Sequence, residues 1–297
     1  MNKIYKILYL CLLLSFFCIT DIAATEKWDI TVGVQGAVSQ YSSSTMRDKK
    51  SNYGSFFTAD YLDTYSFTFV YDKSKVDFKL GINSIEQDSF YLCGRKVFRP
   101  DILSGLLTLS LDGFYIDNDD LTKMSDEAKI YGTYLSYLAY TKKYYVDLGF
   151  AQSNYYDDLV IEQWNPTIGL GFNKQRNWLQ VRGYYITSSE KTRTQGEKSS
   201  KAIEMSLSHY FDGHILNLNK IKAGLLIGER IFAVDRDAAS VYNLSDIQKG
   251  SFSLLAEFKI ISSVKLIISG GKERYTNKTI NDDYSSRYLY MGLSSSW

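Results

Sequence analysis

Beyond its first two dozen residues, this chain alternates apolar and polar side chains one by one over long stretches and never runs apolar for long. Period two is the signature of strands with one apolar face. Trp28, Ile30, Val32 and Val34 alternate with Asp29, Thr31, Gly33 and Gln35. The same holds for Tyr65, Phe67, Phe69 and Tyr71, for Val76, Phe78, Leu80 and Ile82, and for Phe252, Leu254, Ala256, Phe258 and Ile260. Val264, Leu266 and Ile268 continue it. No later segment reaches the 18 or so apolar residues of a membrane-crossing helix. If this chain enters a membrane, it does so as strands closed into a barrel, because open sheet edges have no hydrogen-bond partners in lipid.

The first residues read differently. Lys3 and Lys6 precede an apolar run from Ile7 to Ile19, and Ile22-Ala23-Ala24 supplies a small residue for cleavage. Thirteen residues rise only about 20 Å as a helix, short of the roughly 30 Å hydrocarbon core. We read residues 1–24 as a secretory signal peptide and 25–297 as one domain, since only 2 Pro and no Gly/Ser-rich linker interrupt it. Phe16 and Phe17 before Cys18 do not suit lipoprotein processing. Removal of the leader takes Cys11 and Cys18 with it, leaving Cys93 without an intramolecular disulfide partner.

Turn spacing sets the architecture. Tight turns are expected at Asp72–Ser74, Thr141–Lys143, Asn173–Arg176 and Ile261–Ser263, with a longer one near Asp212–Asn219. Polar loops are expected at Ser42–Asn52, Glu86–Glu127, Tyr155–Asp158, Ser188–Ser200, Val234–Lys249 and Thr276–Ser285. Short turns facing longer loops are the pattern of an up-and-down transmembrane barrel. Five turns between six loops predict twelve antiparallel strands. The segment 86–127 holds Leu103, Leu107, Leu109 and Leu111, then Asp112-Gly113, a strong hairpin dipeptide; two further strands there make fourteen the alternative. A secreted β-sandwich explains the alternation but not the two turn classes. It also leaves unexplained the aromatic load, 15% with 25 Tyr and 16 Phe, where interfacial membrane belts favour Tyr.

Leu289, Met291, Leu293 and Trp297 share one strand face, and the sequence stops at that aromatic. This resembles the C-terminal assembly signature of Gram-negative outer-membrane β-barrel proteins, in which Phe is commonest and Trp is accepted; Ser295 departs from it, being polar. The resemblance implies outer-membrane lipids and the barrel-assembly machinery as partners. Tyr155-Tyr156-Asp157-Asp158, with Val160, Trp164 and glycines beyond, resembles a hairpin of the YaiO-type outer-membrane barrels. That local resemblance implies a setting of surface polysaccharide export and assigns no chemistry.

Charge placement carries the functional expectation. Alternation directs Asp29, Lys75, Asp77, Lys79, Glu162, Arg182, Glu204, Lys222, Arg230, Glu257, Lys259 and Lys265 inward, since a Lys or Arg facing mid-membrane lipid costs about 2–4 kcal/mol. Both signs occur, which suits either a water-lined wall or an internal salt-bridge lattice. An outer-rim cluster is expected from Glu229, Arg230, Asp235, Arg236, Asp237, Glu273 and Arg274, able to bind a polar solute or a saccharide, or to anchor loops by ion pairs. The net charge of +1 gives no basis for nucleic-acid binding. The only histidines are His209, with no Ser on its strand face, and His214, in a predicted turn, so a lipid-directed Ser/His hydrolase lacks its geometry. No metal or cofactor motif occurs. The leading expectation is a channel for small polar solutes or an accessory to polysaccharide export. A plugged structural or surface-interaction barrel stands second and an outer-membrane enzyme third.

Overall fold

A computed structural model describes residues 27–79, 81–120, 125–212, 217–242 and 245–297. The expected leader, Leu80 and His214 lie outside them. In chain order the strands are β1 (Trp28–Ser42), β2 (Arg47–Tyr61), β3 (Tyr65–Phe78), β4 (Ile85–Phe98), β5 (Gly105–Asn118), β6 (Ala128–Ala139) and β7 (Tyr144–Asn154). They continue with β8 (Val160–Phe172), β9 (Asn177–Ser188), β10 (Ser199–Tyr210), β11 (Leu218–Arg230), β12 (Val234–Asp235) and β13 (Ser240–Val241). The last are β14 (Ile247–Lys259), β15 (Val264–Asn277) and β16 (Asp282–Ser296). All but β12 and β13 form one antiparallel sheet closed by β1 against β16, giving a barrel of fourteen strands rather than twelve. Beyond the β1–β16 ladder, Ile30 and Trp297 exchange backbone hydrogen bonds.

Strand bounds differ from the expectation at β3, and the two additional strands both come from the expected loop 86–127. Asp72–Ser74 is not a turn but the middle of β3, and the chain reverses instead at 62–64. The expected loop 86–127 contains β4 and β5, and Asp112-Gly113 lies within β5. Asp112 points inward and is 5% exposed, so a residue that reads as turn chemistry serves the interior.

The side chains sort cleanly into two faces. Leu111, Leu135, Leu148, Ile168, Ile203, Leu225, Leu254 and Met291 face outward and are exposed, as a lipid-facing belt requires. Aromatics edge this belt. Tyr71, Phe90 and Tyr115 lie side by side across β3, β4 and β5 at one level, with Phe150 against Trp164 on β7 and β8. Trp28 against Tyr61 and Tyr137 against Tyr144 lie at the other. Connections at the Trp28 end run over 62–64, 99–104, 140–143, 173–176, 211–217 and 260–263. Those at the far end run over 43–46, 79–84, 119–127, 155–159, 189–198, 231–246 and 278–281, and the three longest are among these, which marks it as the outer end.

β3 shows what happens where strands rise above the belt. Its lower outward residues are Tyr65, Phe67, Phe69 and Tyr71, and its upper ones are Lys73, Lys75 and Asp77. Val70 and Val76 turn inward, each under a tenth exposed. Lys75 and Asp77 therefore face outward, not into the lumen, pairing with Glu86 and Lys49 at 3.2 and 3.6 Å. Once clear of hydrocarbon, charge on the outer face carries no lipid penalty, and apolar residues are freed to pack inside.

Candidate functional site

The longest connection spans 231–246, and its residues 231–242 fold into the barrel rather than extend from it. Ile231, Phe232, Ala233 and Val234 are each at most 3% exposed and join a cluster with Ile116, Ile130, Leu159, Ile161 and Ile186 from the upper inner wall. The Phe232 ring lies 4.9 Å from that of Tyr155. β12 and β13 pair through Val234 with Val241 and Asp235 with Ser240, making a small hairpin inside the lumen. Gln163 on β8 holds it by both ends of its amide: Nε2 donates to the Val234 carbonyl at 2.8 Å, and Oε1 accepts from the Val234 N–H at 3.0 Å. At the loop's far foot, Asp246 accepts from Arg47, Tyr284 and, at 2.6 Å, the Asn277 amide.

Below this apolar plug lies a layer of paired charges. Arg182 on β9 donates to Asp237 at 2.8 Å and to Thr167 at 3.2 Å, with Asp235 at 4.0 Å. Arg236 reaches back to β5 and β7, 3.5 Å from Asp112 and 3.9 Å from Asp147, and donates to Ser110 at 2.7 Å. Its guanidinium lies 4.4 Å from the centre of the Tyr134 ring. That ring can lie flat on the wall because two neighbours lack side chains: a Cβ on Gly149 would meet it at 2.3 Å, and one on Gly132 at 2.8 Å. Between loop and wall is a narrow polar cleft lined by Tyr134, Tyr145, Asp147, Asn165, Arg182, Arg236 and Asp237. Burial works against the charged form of Asp237, but Arg182, Lys222 and Arg236 outweigh it and hold that carboxyl below its usual range. Burial and the facing Glu204 push Asp235 the other way.

A second chain of contacts runs behind the hairpin. Arg230 donates to Gln248, which donates to Glu273 at 3.2 Å, and Glu273 accepts from Tyr275 at 2.8 Å. The Arg230 guanidinium lies over Tyr242 at 4.1 Å and Tyr184 at 5.1 Å, and Tyr184 donates to Glu204 at 2.7 Å. Irregular register between Gln248 and Gly250 turns Gln248 inward, opposite the inward Arg230.

The sequence-chosen residues thus separate. Arg182, Glu204, Lys222 and Glu257 lie on inward strand positions, Glu257 low in the barrel with Lys220 at 3.2 Å. Lys259 shares the inward register, as does Lys265 opposite it, but sits at the periplasmic end of β14 and is exposed. Two of the lumen assignments are corrected. Glu162 shares the outer face of β8 with Trp164 and Ile168, while Ile161, Gln163, Asn165 and Thr167 fill the inner one. It stands near the outer strand end, where lipid no longer forbids a charge. Lys79 lies past the end of β3 at the rim, donating to the Ser44 carbonyl at 2.7 Å. The rim cluster is also corrected. Asp235, Arg236 and Asp237 are inside the lumen, because wall charges await them there. Arg230 and Glu273 face inward as well, whereas Glu229, paired with Lys249, and Arg274 face outward. Leu289, Met291 and Leu293 share the outward face of β16, and Trp297 follows in the same register. His209 makes a 2.7 Å hydrogen bond with Asn177 at the periplasmic end.

The sequence carries no site signal for Asp147, Gln163 and Asn165, and offers Asp112 only as turn chemistry. The first three are polar residues on an inner face that read as ordinary alternation until the loop arrives opposite.

A closed antiparallel barrel with an apolar outer belt edged by aromatics and a charged interior is a transmembrane barrel of the Gram-negative outer-membrane class. Solved structures share this fold along nearly the whole chain. The Pseudomonas putida toluene transporter TodX is 8% identical, aligning 92% of this chain with 90% of its own at a TM-score of 0.53. A bacterial polysaccharide outer membrane secretin is 8% identical over 90% of this chain and 98% of its own, also at 0.53. OprD from Pseudomonas aeruginosa aligns over 92% and 94% at 9% identity and a TM-score of 0.46. No family model and no curated protein matches the chain.

Proposed function

We propose that this chain is an outer-membrane channel for small polar or ionic solutes, narrowed by the 231–246 loop. The observation that carries the reading is the loop itself, lodged in the lumen with Arg236 and Asp237 facing Asp147 and Arg182 across a narrow polar cleft. A constriction with both signs of fixed charge can replace the hydration of a small charged solute at opposite ends. It gives no room for a polysaccharide chain, so the small-solute reading stands ahead of the export reading that the Tyr155–Trp164 hairpin suggests. In the same reading, residues 1–24 direct export, and Leu289, Met291, Leu293 and Trp297 present the strand face taken up by the assembly machinery.

Single-channel recording of the refolded protein in a planar bilayer tests it. The wild type is expected to show small, uniform openings. Replacing residues 233–242 with a short Gly-Ser turn should enlarge them severalfold, and Arg182→Glu should shift selectivity towards cations. A wild type and a loop-shortened variant that are both silent would overturn the channel and leave a barrel whose role lies in its surface.

A further inference from the structure

On the outward face of the barrel three cations, Lys272, Arg274 and Arg287, have no carboxylate partner among the described residues. Phe252, Lys272, Arg287, Gln40 and Lys49 are successive neighbours across β14, β15, β16, β1 and β2, forming one row on the outer surface. The next row down is Leu254, Gly270, Leu289 and Val38, of which the three larger residues are about half exposed. Cations thus stand one side-chain step, about 7 Å, above the lipid belt. Lys272 and Arg287 are direct cross-strand partners, and Arg274 lies one step higher on the same face. Like charges placed opposite one another destabilise a strand pair. Among the described residues none of these three has a carboxylate within ion-pairing distance, whereas Lys249 beside them is paired with Glu229. Lys249, Lys272, Arg274, Thr276, Asp283 and Ser285 line a shallow depression, in which the Asp283 carboxylate accepts from Thr276.

We propose that this patch binds the phosphate headgroup of a lipid in the outer leaflet, its acyl chains lying on the apolar row below. The inference rests on the transmembrane orientation of the proposed function but not on an open lumen. Two observations select a lipid over a soluble anion. The cations sit on the lateral wall rather than in the mouth, and outward Gly270 leaves a gap between Leu254 and Leu289 directly beneath them.

The test uses full-length folded protein in neutral detergent, incubated with diphosphoryl lipid A or with its dephosphorylated form, repurified, and assayed for retained lipid. Wild type should retain the phosphorylated lipid. Lys272→Gln/Arg274→Gln/Arg287→Gln should retain it about a hundredfold less well, with its heat-modifiable gel shift intact. Lys272→Arg/Arg287→Lys should keep most of the binding. Millimolar inorganic phosphate should compete poorly, because it lacks the chains. Equal retention by wild type and triple glutamine variant, equal retention of the dephosphorylated lipid, or full displacement by inorganic phosphate would each overturn the proposal. The triple variant should conduct as the wild type does, so a silent channel that still binds lipid would sink the conduction reading alone.

Discussion

At the scale of single residues, the barrel solves a problem that proline creates. Pro166 lies mid-strand in β8, opposite Gly183, and has no N–H to give to the ladder. A closed barrel has no edge to which such a residue can be relegated. The preceding side chain fills the gap: Asn165 Nδ2 donates to the Gly183 carbonyl at 3.1 Å. Gln163 donates in turn to Asn165 Oδ1 at 2.6 Å, linking the repaired ladder to the residue that clamps the loop. Asn165→Ala strips the Gly183 carbonyl of that donor, a loss of about 1–3 kcal/mol. The temperature at which the folded gel band disappears should fall, while Asn165→Asp, which keeps the acceptor but not the donor, should not rescue it.

At the scale of elements, the decisive one is the 231–246 connection, and its docking divides into an apolar and a charged part. Phe232 is 3% exposed among Tyr155 and the upper-wall isoleucines, so truncating it removes about 3–5 kcal/mol of packing. Phe232→Ala should leave the barrel closed but free the loop. Protease cleavage within 231–246 should then appear in the folded protein, with noisier conductance. Arg236→Ala acts on the charged part and leaves Asp112, whose side chain is fully buried, without its cation. Because an unpaired buried carboxylate is costly, about 3–5 kcal/mol where one partner of a buried pair is lost, this variant should lower barrel stability as well as loosen the loop. Arg236→Ala/Asp112→Asn should restore stability without restoring loop protection. Recovery of both would show that the pair contributes nothing to docking.

At the scale of the whole molecule, closure depends on β1 meeting β16 over its full length, from Thr31 opposite Ser296 to Ser42 opposite Ser285. The outward face of β16 supplies Leu289, Met291 and Leu293, and Trp297 continues its ladder to Ile30. Trp297→Asp is expected to accumulate unassembled in the periplasm and to lack a heat-modifiable band. The same variant refolded in detergent should close normally, since the backbone pairing with Ile30 does not need the indole. Normal assembly of the variant in cells would remove Trp297 from the recognition surface.

The sequence by itself determined the class of fold. Period-two alternation without a long apolar run leaves a closed barrel as the way to satisfy strand hydrogen bonds in lipid, and the lipid penalty on charge placed Arg182, Glu204, Lys222 and Glu257 on inward register. It determined these because each is a constraint on neighbours along one strand. Strand number was not legible at β4 and β5, nor were the strand bounds at β3. Asp72 and Asp112 are polar residues mid-strand whose partners, Gln35 and Arg236, lie 37 and 124 positions away. Glu162 and Lys75 misled for a related reason: the penalty on charge applies only within the hydrocarbon, and height above it is set by the tilt and stagger of all fourteen strands. The destination of Asp235, Arg236 and Asp237 was decided by tertiary structure alone. A polar loop of that length suits the rim as well as the lumen, and only the isoleucines of β5, β6, β8 and β9, gathered on one inner wall, together with Gln163, Arg182 and Asp112 beneath them, draw it inside.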